Sequence, residues 1–501
     1  MALMLRRRLP FVLGPLVIGF GYHAARQQLV ANESSAPHLL NPAQVSARLR
    51  AAEESVLVDR GNGVVRYDFS QLASNDPIED DHSEQIVQVP LVTPEDEEYS
   101  TDWHFWGVYD GHAGFSTSAK LREALIPHVV AELNKAYPAV APQNPLRLPP
   151  DPEKPEIVDQ ALARAFVQLD HEIVHEDIEN LLANPSRKAA IAKLPPALSG
   201  SCALLAFYDS GTRDLRLALA GDSRAVLGMR SSNGQWQARS LTADQTGSNE
   251  HEVQRIRAEH PQSEQTTCVR RGRVLGIYEP TRSFGDAVVK WARETQRRVA
   301  DLFFSTRMPS NLLTPPYLTA EPVVTRTRLD PGTNPCFLVL ASDGLYEMLS
   351  SDQVVSLVVD WLQAYRPSYL AQFQATPKND SKFGRIGQLF GRQSVKRQVG
   401  DAVEDITDNK EVLKEPVSKQ HMNTPPLRVA TRDANVATHL VRNALGGEDY
   451  EQVSLLLSIP TPMTRNYRDD LTVTVVFFGG QADPTGNVVT NNDATSLRAK
   501  L

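Results

Sequence analysis

Cysteine is scarce: the 501 residues hold three, Cys202, Cys268 and Cys336, with no CxxC pair. That spacing excludes a disulfide framework and a cysteine-based zinc site. A thiol-dependent phosphatase fails as well, because its thiolate needs an arginine at the sixth position after it. The nearest case, Cys268, has Arg273 one position early. Excess positive charge is also missing. With a net charge of −8 the chain lacks the basic footprint of a nucleic-acid binder. The apolar stretch near the N-terminus, Leu9 to Tyr22, is 14 residues with two prolines, short of the ~20 that span a bilayer. What remains is an ordinary soluble composition, 41% hydrophobic and 22% charged, sufficient for a large core.

The two ends depart from that average. Arg6, Arg7, Arg8 and Arg26 stand in a segment with no acid before Glu33. Such a start has the pattern of a mitochondrial presequence, with membrane association through the apolar stretch as a further expectation. At the other end, Ala499-Lys500-Leu501 is similar to the Ser-Lys-Leu peroxisomal address, which an import receptor would read. The expected organisation is a targeting segment and linker over 1–45, one folded domain over 46–480, and a flexible polar tail over 481–501.

Between these ends, strand-like runs alternate with amphipathic helices. Leu121, Leu125, Val129 and Leu133 mark one helical face, with Pro127 as a candidate kink, and Val158, Leu162, Ala165, Leu169 and Ile173 mark another. LRLALAGDSRAVLG (215–228) reads as strand, tight turn, strand. CFLVLASDGLYEML (336–349) reads as a buried strand and a helix start, and DDLTVTVVFF (469–478) as a buried strand. Residues 366–434 break the pattern. Six basic residues crowd 378–397 and six acids crowd 401–415, the composition of a solvated insertion. Order is expected to resume in a helix after Asn435, ended by Gly446.

Acids stand where the apolar runs end: Glu79 and Asp80 in NDPIEDDH, Asp110 in YDGH, Asp222 in AGDSR, Asp343 in ASDGL and Asp469 in RDDLTV. Singly, each is a turn former or a cap. Gathered at one sheet edge, they would repel: two unit charges ~5 Å apart cost about 3 kcal/mol at an effective dielectric near 20. Hard divalent cations relieve that repulsion, since Mg²⁺ and Mn²⁺ favour oxygen ligands. Gly111, lacking a Cβ, would let its carbonyl approach such an ion. His112 becomes a candidate proton donor to a leaving alkoxide.

GVYDGHAG, SGSCALLA, LALAGDSRAVLG, RSFGDAVVKW, LTAEP, LASDGLYEML and RDDLTV, in this order, resemble the type-2C metal-dependent protein serine/threonine phosphatases. The resemblance runs from about residue 64 to 480. DFSQLASNDPIEDDHSE and TPPYLTAEP are similar to the mitochondrial pyruvate dehydrogenase phosphatase branch. The resemblance implies an α+β fold, an α-β-β-α sandwich of two antiparallel sheets flanked by helices. It also implies two Mg²⁺ or Mn²⁺ ions and a weaker third. Asp110 would bridge the first two and Gly111 would complete one of them. Asp343 and Asp469 would hold the other, Glu79 and Asp80 would contact metal-bound waters, and Asp222 would serve the third. A metal-bound water would attack phosphorus while His112 protonates the departing serine or threonine oxygen. The implied substrate is a phosphoprotein, with pyruvate dehydrogenase the leading candidate. One departure stands out: Asn75 occupies the position, four before the glutamate, where many relatives carry a phosphate-gripping arginine, so substrate phosphate is expected to be held by the metals with Asn75 or by another arginine that reaches in. The alternative is a regulatory or binding module on this fold without turnover. A decayed copy should have lost Asp110, Asp343 or Asp469, and all three are present.

Overall fold

The strict period of two at Leu215, Leu217 and Leu219 aims three leucines into a layer between two sheets, while Ala218 and Ala220 face helices on the other side. Both faces of the central strands are therefore covered, and they read as continuous apolar runs. The computed structural model describes residues 39–93, 97–139, 146–151, 153–231, 233–303, 311–365, 428–481 and 483–496. The arginine-bearing N-terminal segment, most of the polar stretch 366–434 and Ala499-Lys500-Leu501 lie outside these.

The long strands in chain order are β1 (Glu54–Asp59), β2 (Val64–Leu72), β3 (Asp81–Val92), β4 (Glu98–Tyr109), β5 (Ala203–Asp209) and β6 (Asp214–Ala220). They continue with β7 (Arg224–Arg230), β8 (Trp236–Ser240), β9 (Val323–Arg328), β10 (Cys336–Ala341), β11 (Leu471–Phe478) and β12 (Asn487–Thr490). One sheet has the order β8-β7-β10-β11-β2-β1-β12 and the other β9-β6-β5-β4-β3. Their pairings are antiparallel throughout, for example Val339 opposite Val475 and Phe105 opposite Phe207.

Trp106, Val108, Leu204 and Leu217 from the five-stranded sheet meet Leu227, Leu338, Leu340 and Phe478 from the seven-stranded sheet. On the outer face of the first, helices α2 (Ser116–Ala136) and α3 (Glu156–His171) bury Leu121, Leu125, Val129 and Leu162. Pro127 sits inside α2 without ending it. On the outer face of the second lie α1 (Pro42–Arg50), α4 (Ser351–Tyr365), α5 (Val436–Ala444) and α6 (Tyr450–Ser458). Each fully buried leucine or valine contributes roughly 1.5–3 kcal/mol, so three apolar layers hold the sandwich together. The α-β-β-α expectation is met. Among the described residues no helix is long and apolar enough to cross a membrane.

Three borders differ from the sequence reading. The residues just before 46 already belong to the folded body: an Asn41–Gln44 capping box starts α1, Val45 and Leu49 are buried, and Leu40 N donates to Ser458 Oγ at 3.2 Å. The polar segment drawn to 434 ends earlier: Ala430 is buried, and Asp433 forms a buried ion pair with Arg442 at 2.6 Å. The tail drawn as flexible from 481 is docked as far as Ser496. There β12 pairs with β1, Ser55 N donates to Thr495 Oγ1 at 2.9 Å, and Asn435 Nδ2 donates to the Ala494 carbonyl at 3.0 Å.

Candidate active site

Strand ends deliver the acids. Asp110 follows β4, Asp222 lies in the turn between β6 and β7, and Asp343 follows β10 to open a helical turn. Asp469 and Asp470 lead into β11, and Glu79 and Asp80 lead into β3. Carboxylate oxygens of Asp110, Asp222 and Asp343 lie within 4.8 Å of one another, and so do those of Asp343, Glu347 and Asp469. Asp343 belongs to both groups, and its backbone N–H donates to Asp110 Oδ2 at 3.4 Å. Asp80 is buried and accepts from Thr472 Oγ1 at 2.7 Å.

Crowding shows in the acidities. Burial, then the charge of Asp470, pushes Asp80 up to about 8. Burial, then the charge of Asp343, pushes Asp222 up to about 8. Burial and the charges of Asp343, Asp80 and Asp222 hold Asp110 well above the usual carboxylate range. Such groups bind protons unless another positive charge arrives. Arg465 supplies part of one by pairing with Asp469. The donors are carboxylate oxygens, the set that suits hard divalent cations rather than zinc or copper.

The loop before β3 is built on Asp470. Its carboxylate accepts from Ser74 Oγ at 2.7 Å and from the backbone N–H groups of Glu79 at 2.9 Å and Asn75 at 3.2 Å. Glu79 is thereby held beside Gly114, whose N–H donates to its Oε1 at 2.6 Å. Gly111 is required by close approach: a Cβ there would collide with the Glu79 carbonyl. Asn75 Nδ2 donates to Glu79 Oε2 at 2.9 Å, so its amide is already engaged. Both residues line a cleft of about 420 Å³, together with Gly114, Phe115, Thr461 and Pro462.

His112 stands in the two-residue strand Gly111–His112, paired with Gly200–Ser201. Its Nε2 lies 2.8 Å from Asp286 Oδ2, and that oxygen also accepts from Ser283 Oγ at 2.6 Å. Burial alone would lower the histidine's pKa, but the charge and hydrogen bond of Asp286 outweigh it, and the net shift is upward. Gly200 makes room for the pair, since a Cβ there would collide with both side chains. Asp286 itself adopts a left-handed backbone, φ 48°.

Sequence reasoning missed Asp286, Glu347, Asp470 and Arg465. Asp286 and Glu347 stood within quoted motifs, RSFGDAVVKW and LASDGLYEML, and Asp470 was the second acid of a doublet. Arg465 carried no signal. The cysteines are buried, and burial followed by the charges of Asp222 and Asp110 pushes the Cys202 thiol well up, the opposite of an activated nucleophile.

Residues 85–378 match the family model described as protein phosphatase 2C. That range contains Asp110, His112, Asp222, Asp286 and Asp343, while Glu79, Asp80 and Asp469 lie outside it. Over 493 residues the chain is 38% identical to the mitochondrial pyruvate dehydrogenase (acetyl-transferring)-phosphatase 1 of Saccharomyces cerevisiae, covering 95% of this chain and 80% of that one. It is 38% identical over 437 residues to a protein phosphatase 2C homologue of Schizosaccharomyces pombe, covering 87% and 84%. With the mitochondrial pyruvate dehydrogenase (acetyl-transferring)-phosphatase 2 of Homo sapiens the identity is 31% over 500 residues, covering 88% and 84%.

Proposed function

The chain belongs to the protein phosphatase 2C family and is a protein serine/threonine phosphatase; from that premise we propose that its acid cluster works with two Mg²⁺ or Mn²⁺ ions and a weaker third. Asp110, Gly111, Asp343 and Asp469 would hold the first two, with Glu79 and Asp80 behind their waters and Asp222 serving the third. The supporting observation is the pair of three-carboxylate groups that share Asp343. When bound, such ions supply an acidified water and polarise a phosphoryl oxygen.

The chain's own residues do the rest. Asp286 occupies Nε2 of His112, which leaves Nδ1 as the nitrogen that can face substrate. As the phosphorus–oxygen bond breaks, His112 protonates the departing serine or threonine oxygen, and the negative Asp286 stabilises the cationic imidazole. Glu79, fixed by Gly114 and Asn75, presents its carboxylate to the cleft.

For the substrate, the reading is phosphorylated pyruvate dehydrogenase in mitochondria, supported by the names of the relatives and by the acid-free, arginine-bearing leader. A second destination at the peroxisome rests on Ala499-Lys500-Leu501 alone, and imaging with and without those residues tests it. The decisive assay is release of phosphate from a phosphoserine peptide and from phosphorylated pyruvate dehydrogenase. EDTA should silence both activities and Mn²⁺ should restore them. Peptide hydrolysis with no action on the dehydrogenase would overturn the substrate alone, and no hydrolysis of either would favour a binding module.

A further inference from the structure

A phosphoryl dianion that enters a cluster of carboxylates needs fixed positive charge to hold it. At Asn75, where many relatives place an arginine, this chain offers a neutral amide already donating to Glu79. The other arginines beside the cluster are occupied. Arg468 is buried with its guanidinium turned to the carbonyls of Ala73 and Asp469. Arg224 grips Asp244 through Nε and Nη2, and Arg122 pairs with Asp81 and Glu123.

Arg465 differs from these. It lies on the short 3-10 turn Met463–Asn466, directly after Thr461 and Pro462, which line the 420 Å³ cleft. Asn75 and Glu79 line the same cleft. Its side chain is 43% exposed, and its ion pair is with Asp469, a member of the cluster itself.

We propose that Arg465, held at the carboxylate cluster by Asp469, is the residue that grips the substrate's phosphate. The proposal rests on the phosphatase reading above. The ion pair with Asp469 keeps the guanidinium at the cluster before substrate arrives. When cations neutralise Asp469, the planar fork is released to donate two parallel N–H groups to phosphoryl oxygens. A lysine would keep the charge but lose the fork.

The test compares wild type, Arg465→Gln and Arg465→Lys, all with Mn²⁺. It reads the inhibition constant of inorganic phosphate, KM and kcat for a phosphoserine peptide, and Mn²⁺ affinity by calorimetry. The glutamine variant should weaken phosphate inhibition and raise KM by roughly ten- to hundredfold, the range for losing charge-assisted hydrogen bonds. The lysine variant should fall between. Mn²⁺ affinity should hold or tighten, because a competing cation has left Asp469. An unchanged phosphate constant overturns the proposal, as does weakening that merely tracks a loss of Mn²⁺ affinity. Turnover by wild type checks the phosphatase reading separately, so the two failures are distinguishable.

Discussion

Nε2 of His112 stands 2.8 Å from Oδ2 of Asp286, across 174 positions of sequence. A carboxylate 2% exposed, held by Ser283 and by a left-handed turn, fixes one nitrogen of a histidine that is itself next to Gly111 and two residues from Asp110. That arrangement leads to the first expectation. His112→Ala should slow hydrolysis of phosphoserine by roughly a hundredfold or more, the usual contribution of a general acid. An aryl phosphate, whose leaving group needs no proton, should suffer far less. Asp286→Asn should show the same leaving-group dependence at about ten- to hundredfold. Equal losses on both substrates would contradict the assignment.

Gly200 is the clearance for that pair. Gly200→Ala should cost about 1–3 kcal/mol of stability through overpacking. It should also reproduce the leaving-group dependence of Asp286→Asn, read by steady-state kinetics on both substrates and by thermal unfolding. A stable variant with full activity on phosphoserine would show that the space is not needed.

Buried acids tie metal binding to pH. Asp80 and Asp222 sit at about 8, raised by burial first and by neighbouring carboxylates next. Their folded values lie above the ordinary 3.8, so their contribution to stability is present in acid and is lost as pH rises through about 8. Near neutral pH the metal-free cluster therefore carries protons that a cation must displace. Calorimetry in buffers of different ionisation enthalpy should find proton release on Mn²⁺ binding at about pH 7, fading well above pH 8. No release near neutrality would contradict the crowding.

The acids at strand ends were legible only as a set, because each alone reads as a turn former or a cap while several gathered together need a neutralising charge. Pairing of β10 with β11 brings Asp343 to Asp469, and the packing of the two sheets brings Asp110 to Asp343, although the sequence scatters them. Asp286 was illegible because it stands between Gly285 and the short 3-10 segment Ala287–Val289, away from the end of any long strand, and its partner is remote in sequence. The stretch 428–434 was read as solvated from its charges, yet Arg442 neutralises Asp433 and Asn443 Oδ1 accepts from Ala430 N at 2.9 Å. β12 has only two adjacent valines, too short a run to mark a strand, and with all four of its residues exposed its pairing uses the backbone.

Asp433→Ala tests that corrected border. Removing one partner of a buried ion pair leaves Arg442 uncompensated and should cost about 3–5 kcal/mol in denaturant unfolding. A cost under about 1 kcal/mol, the worth of an exposed pair, would restore the longer solvated segment.

Asp343 joins the two carboxylate groups, and a single substitution there examines the whole account. Asp343→Asn should bind Mn²⁺ much more weakly by calorimetry, lose phosphoserine hydrolysis by at least roughly a hundredfold, and unfold at a temperature no lower than the metal-free wild type. A variant that keeps Mn²⁺ affinity and turnover near wild type would contradict the proposal that divalent cations are what hold these acids together.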